Sequence, residues 1–174
     1  MKVQLALKLD EPRTTSDRGQ LKFAWERFGQ ISQECLPLFR RHYKEVANFQ
    51  DKVPFDPDWE RYFAYDLADV LNVLTVRDGT TLVGYAFVMV HPHPHYVSTF
   101  WAICDLFWLD PAYRFGWTGV NMFREVERHA RERGVKVMQW GIKLNFEADR
   151  GTIAKLFIRL GYTPTEVTVS KYLE

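Results

Sequence analysis

The chain has 174 residues, of which 47% are hydrophobic, 16% aromatic and 26% charged. This composition excludes a disordered tail, a collagen-like repeat and a disulfide scaffold, and it fits one domain over residues 1–174. A net charge of +1, from 23 basic and 22 acidic residues, gives no global pull toward nucleic acid or an anionic membrane.

Val3, Leu5, Leu7 and Leu9 alternate with more polar neighbours and predict a strand with one buried face. Residues 10–20 form a polar connector. Leu21, Phe23, Trp25 and Phe28 show no clean period, so residues 21–31 read as loop or a short helix. Cys35, Leu38, Phe39, His42 and Val46 recur at helical spacing, and Pro37 places the start of that helix close to itself. Asp56-Pro57-Asp58 opens a second helix, with Asp56 as N-cap and Trp59, Tyr62, Phe63, Leu67, Val70 and Leu71 as its apolar stripe.

The period then changes. Asn72 to Arg77 predicts a strand, Asp78-Gly79 a hairpin turn and Thr81 to Val90 the partner strand. A third strand runs from Thr99 to Leu109. Phe100, Ala102, Cys104, Leu106 and Trp108 fall on one side; Trp101, Ile103, Phe107 and Leu109 fall on the other, with Asp105 among them. Apolar residues on both faces predict a central strand covered above and below by helices. Val120 to Arg133 is an amphipathic helix stopped by Gly134. Val135 to Ile142 is a strand, Thr152 to Leu160 a short helix closed by Gly161, and Tyr162 to Leu173 a last strand. The order β-α-α-β-β-β-α-β-α-β predicts an α/β fold with a mixed sheet.

No targeting or membrane segment is read: the N-terminus is charged too early, and the longest apolar stretch is about half the length of a membrane helix. Cys35 and Cys104 match no metal or redox spacing, which suits a reducing, cytoplasmic setting. The run His91-Pro92-His93-Pro94-His95 invites a metal, but on an extended strand alternate imidazoles stand about 7 Å apart and no acid or thiol completes a set. No metal is expected.

The informative stretch runs from Asp105 to Gly119. A buried strand ends, a turn carries Arg114, Gly116 and Gly119, and a helix begins. This is the form of an anion cradle: unpaired N–H groups at a helix start, glycines that admit a phosphate and a nearby guanidinium.

On these residues the chain resembles the GNAT superfamily of acyl-CoA N-acyltransferases, whose signature is Arg/Gln-x-x-Gly-x-Gly/Ala at the start of a helix. Arg114 and Gly119 match its ends, Trp117 stands at the usual middle glycine, and Gly116 comes one residue early. The approach Asp-Leu-Phe-Trp-Leu-Asp-Pro-Ala-Tyr-Arg and the ending Leu156 to Tyr162 also resemble the family. The loop is similar to that of GNAT-like proteins encoded by tailed bacteriophages.

The resemblance implies acetyl-CoA as co-substrate. It implies a pantetheine arm along Phe107, Trp108 and Leu109 with Gly141-Ile142 opposite, and a pyrophosphate on the backbone from Phe115 through Gly116, Trp117, Thr118 and Gly119 to Val120. It implies a primary amine acceptor, of a small molecule or a protein, bound by residues 20–70 and 91–98. Asp105, an ionisable group within an apolar strand, is the candidate base; a structural carboxylate bonded to backbone is the alternative. Phe157 occupies the place of the family's usual acid Tyr, and Gly151 that of a common Asn, so Tyr162, Tyr113 or water would protonate the thiolate. These departures also motivate a second reading, a non-catalytic GNAT-like binding or structural protein. A homodimer is compatible with either.

Overall fold

The computed structural model describes residues 20–143 and 152–173, without the side chains of Asp105 and Thr152. The strand expected over residues 3–9 and the position Gly151 lie outside the described residues.

Residues 21–31 are neither loop nor a short helix. Lys22–Glu26 forms strand β1, antiparallel to β2 (Leu71–Asp78). Trp25 stacks on His129 with ring centroids 3.7 Å apart and donates to Glu125 at 2.9 Å. The strand is too short for its alternation to show as a period.

Helix α1 (Phe28–Val46) begins at once and runs straight through Pro37. A proline there forfeits one helical hydrogen bond, about 3 kcal/mol. The buried stripe Phe28, Ile31, Cys35, Leu38, Phe39 and His42 offsets that loss, since each large apolar side chain contributes about 1.5–3 kcal/mol. Helix α2 (Trp59–Leu67) is capped by Asp58, which accepts from the Arg61 N–H at 2.9 Å, two residues beyond the expected cap at Asp56.

Strand β2 turns at Gly79, whose φ of 59° is the left-handed conformation such a turn requires, into β3 (Thr81–His93). A longer hairpin leads to β4 (Tyr96–Leu109). There His93 packs at a tilt against Trp101 (4.3 Å) and its Nδ1 accepts from the His95 N–H (3.1 Å). Helix α3 (Thr118–Glu132), strand β5 (Val137–Trp140) and helix α4 (Thr152–Arg159) complete the described elements.

The sheet order is β1-β2-β3-β4-β5, with β5 parallel to β4 and the other neighbours antiparallel. This is the expected mixed α/β architecture without its last strand: residues 162–173 form none. Val167 and Val169 are 91% and 88% exposed. An alternating pattern becomes a strand only when a sheet edge takes up its backbone hydrogen bonds.

Helices α3 and α4 cover one face of the sheet, packing Met122, Phe123, Val126 and Phe157 on Leu74, Val76 and Ala86. Helices α1 and α2 cover the other, packing Phe28, Ile31 and Phe39 on Val73, Tyr85 and Phe87. No helix among the described residues is long and apolar enough to cross a membrane.

Candidate active site

The site begins with an irregularity in β4. Phe87 faces Leu106 and Met89 faces Ile103, so Cys104 and Asp105 together oppose Val88. The extra residue is a β-bulge, and it reverses the alternation. Ala102 and Cys104 share the α3 face with Phe107 and Leu109, while Leu106 and Trp108 turn to the α1 face. The simple alternation read along this strand therefore fails beyond Cys104.

The bulge is also where β4 loses its parallel neighbour. Pairing with β5 ends at Cys104–Trp140, and the last bond across is Gly141 N–H to the Cys104 carbonyl at 2.8 Å. Beyond it, among the described residues, β4 continues against β3 alone. Asp110 donates to the Val83 carbonyl at 2.8 Å, which sets the parity of that ladder. Leu106 and Trp108 bond to β3, and the N–H groups of Phe107 and Leu109 turn toward the edge that β5 has left.

The turn after β4 is held from both sides. Asp110 caps the short 3-10 turn Pro111–Tyr113 by accepting from the Ala112 N–H at 2.9 Å, and it pairs with Arg41 at 2.7 Å. The Arg114 Nε donates to the Leu109 carbonyl at 2.7 Å, and both terminal nitrogens bond the Glu45 carboxylate, Nη2 at 2.7 Å. The Trp108 indole donates to the same carboxylate at 2.7 Å. Arg114, with Trp108, holds the Glu45 carboxyl below its usual range. Arg114 is thus tied to α1 and shapes the loop; it is not the free counter-charge that the sequence suggested.

The loop glycines stand open. Gly116 has φ of 57°, and a Cβ built on Gly116 or Gly119 would meet nothing within 4 Å. Helix α3 starts after Trp117 with no side-chain cap and no acidic residue in its first turn, so its leading N–H groups point out of the helix end. Trp117 is 68% exposed, with the Arg124 guanidinium 6.0 Å from its ring.

On the α1 face, beside Leu106, lies a cavity of about 250 Å³. Its walls come from Phe39, Tyr43, Phe55, Tyr62 and Tyr85, with His42 among them. The His42 Nδ1 shares a 2.8 Å hydrogen bond with the Tyr85 hydroxyl. Burial pushes the His42 pKa down to about 4 and the Tyr85 pKa up. Neither residue, nor Glu45, was legible as a site residue: their partners are 43 to 69 positions away in sequence.

No family model matches the sequence, and no curated protein matches it. Solved structures do. A ribosomal-protein-alanine N-acetyltransferase from Brucella melitensis biovar Abortus 2308 superposes with a TM-score of 0.65 at 14% identity, covering 89% of this chain and 100% of its own. A GCN5-related N-acetyltransferase from Ralstonia eutropha JMP134 gives 0.67 at 14% identity, covering 88% and 99%. The aminoglycoside N-acetyltransferase AAC(6')-Iy, in complex with CoA, gives 0.58 at 15% identity, covering 90% and 97%. The chain has the GNAT fold.

Within the GNAT fold the named residues divide. Phe107 and Leu109 border the parted strands, and Phe115 to Val120 form the loop and first turn at their open end. Trp108 faces α1 instead and joins the Glu45 cluster. Asp105 sits in the bulge by its backbone. Tyr162 is tied to α3. Its hydroxyl donates to Glu127 of α3 at 2.9 Å, and with Met138 and Lys136 it lines a separate cavity beside the still-paired part of β4 and β5. Phe157 is 3% exposed and packs on Phe123 (4.7 Å) and Trp140 (5.2 Å). Among the described residues no group of three or more His, Cys, Asp or Glu is placed to hold a metal.

Proposed function

We propose that the protein is an acetyl-CoA-dependent N-acyltransferase that modifies a primary amine. The observation that carries this reading is the alignment of two openings. Among the described residues the pairing of β4 with β5 ends at Cys104–Trp140, and past the end of β4 an uncapped helix start carries Gly119 close to Gly116, both with open space where a Cβ would stand. An N–H-lined helix start suits a diphosphate, and an unpaired strand edge suits the amides of a pantetheine arm. The loop can admit the group, because the space where a Cβ would stand on Gly116 and Gly119 is open.

In this reading the backbone from Phe115 to Val120 holds the pyrophosphate, and Phe107 and Leu109 hold the arm. Arg114 fixes the loop through Glu45. The coenzyme supplies an activated thioester. The amine nitrogen bonds to the acyl carbon, the carbon–sulfur bond breaks, the nitrogen loses a proton to a base, and the departing thiolate gains one. Asp105 is the base we assign, at the bulge between the arm and the aromatic cavity. With Phe157 buried and the Tyr162 hydroxyl bonded to Glu127, water is the simplest proton source for the thiolate.

Calorimetry with acetyl-CoA tests the binding, and thiol release over a panel of amines tests the chemistry. Saturable heat and turnover are expected, with Asp105→Asn lowering turnover about 10²–10⁴-fold at unchanged coenzyme affinity. Absence of heat at millimolar acetyl-CoA would end the reading. The two α4-side departures favour a second one, a GNAT-like binding protein without turnover. Coenzyme binding with no turnover of any amine would select it.

A further inference from the structure

We infer that the cavity beside Leu106 selects a monoamine carrying one aromatic ring, an arylalkylamine, over polycationic or peptide amines. This rests on the acyltransferase reading above and names the acceptor class for that site.

The cavity lies between the C-terminal half of α1, the connector at residues 54–57 and the sheet. Its floor includes Leu106, the residue that follows Asp105 in the bulge, so a ligand seated there ends next to the proposed reacting position.

Three features set its chemistry. First, the walls are rings. Phe39, Tyr43, Phe55, Tyr62 and Tyr85 surround the space, and those in contact meet edge-on or tilted, as Phe39 and Tyr85 do at 5.1 Å. Such walls take another ring by the same offset geometry. They also attract a single ammonium through their faces.

Second, its ionic lining among the described residues is one acid, Asp56, and one base, Lys143. A ligand bearing several ammonium groups needs several carboxylates to replace its hydration; this lining offers one, and Lys143 opposes further positive charge beside His42. A monoamine needs no more than one.

Third, the polar group set into the aromatic wall is His42, 7% exposed. Tyr85 takes its Nδ1, and Nε2 has no partner among the described residues. Burial keeps the ring uncharged at neutral pH, so it can bond the amine without repelling its cationic form. The cavity, of about 250 Å³, has room for one ring and a short chain.

The test is thiol release from acetyl-CoA with four amines: phenethylamine, tyramine, kanamycin and a lysine-containing peptide. The two aromatic amines are expected to exceed the others by about tenfold or more in kcat/KM. Val46→Trp, at the partly buried rim, fills the cavity, and Phe55→Ala removes a wall. Each should raise the aromatic amine's KM about tenfold while leaving the calorimetric Kd of acetyl-CoA unchanged. Preference for kanamycin or the peptide, or two variants with unaltered amine KM, overturns the inference and leaves the acyltransferase reading standing. If acetyl-CoA produces no heat, that reading falls. The cavity's preference is then read from direct calorimetric binding of phenethylamine and kanamycin to the wild type and Val46→Trp, and failure of phenethylamine to bind overturns it.

Discussion

Gly119→Asp separates the helix start as a structural feature from the helix start as a binding site. Gly119 is the second residue of α3, and a side chain there enters open space. In the free protein the change should stabilise. Replacing a helical glycine by Asp gains about 0.3 kcal/mol, and a carboxylate in a first turn that has none gains about 0.3–1 kcal/mol. Together these give about 1 kcal/mol, or a rise in Tm of roughly 2–4 °C for a chain this long. The same carboxylate stands where the diphosphate is proposed to bind. Two unit charges about 4 Å apart repel by about 1 kcal/mol in water and about 4 kcal/mol at the effective dielectric of a protein surface. Acetyl-CoA should then bind about 5-fold to about 900-fold more weakly. Thermal unfolding without ligand and calorimetry with acetyl-CoA read the two effects. A raised Tm with unchanged coenzyme affinity would refute the placement of the pyrophosphate on α3.

Glu45→Gln should weaken the tie between α1 and the loop by about 1 kcal/mol at pH 7, a modest figure because the pair is partly exposed to solvent. Arg114 holds the Glu45 carboxyl low, so its contribution is present above the ordinary glutamate value of about 4.3 and fades as pH falls through the depressed one. Urea titrations of wild type and variant should therefore converge in acid; a pH-independent difference would count against the ion pair. For His42, whose pKa burial pushes from 6.5 to about 4, the unfolded chain takes up a proton first as pH drops. Stability should fall between those values by up to ~1.4 kcal/mol per pH unit, and His42→Phe should flatten that slope; equal slopes would show that the ring is not buried neutral. Gly84→Ala would set a Cβ 2.7 Å from a Leu109 methyl and 3.0 Å from the Trp108 carbonyl. Because one neighbour is backbone, a loss of about 1–3 kcal/mol is expected in chemical denaturation, and an unaffected midpoint would mean that β3 and β4 are not so closely apposed.

The local periods of the chain determined most of its elements. Helical spacing marked α3, the Gly79 turn marked the β2–β3 hairpin, and apolar residues on both sides of Phe100 to Leu109 marked β4 as interior. The glycines and arginine of residues 114–119 marked the loop as a candidate cradle. These are signals between near neighbours, which a sequence displays directly. Tertiary structure decided the rest. Pro37 lies inside α1 because the buried stripe outweighs one lost hydrogen bond, a comparison of packing against local cost. Residues 162–173 have a strand's alternation and no strand, since pairing needs an edge as well as a pattern. The bulge at Cys104 and Asp105 depends on the count of residues in β3 opposite, and it moves Trp108 from the presumed gap to the Glu45 cluster. The pairings of Glu45 with Arg114 and of His42 with Tyr85 join residues far apart in the chain, and only folding brings such partners within hydrogen-bond distance.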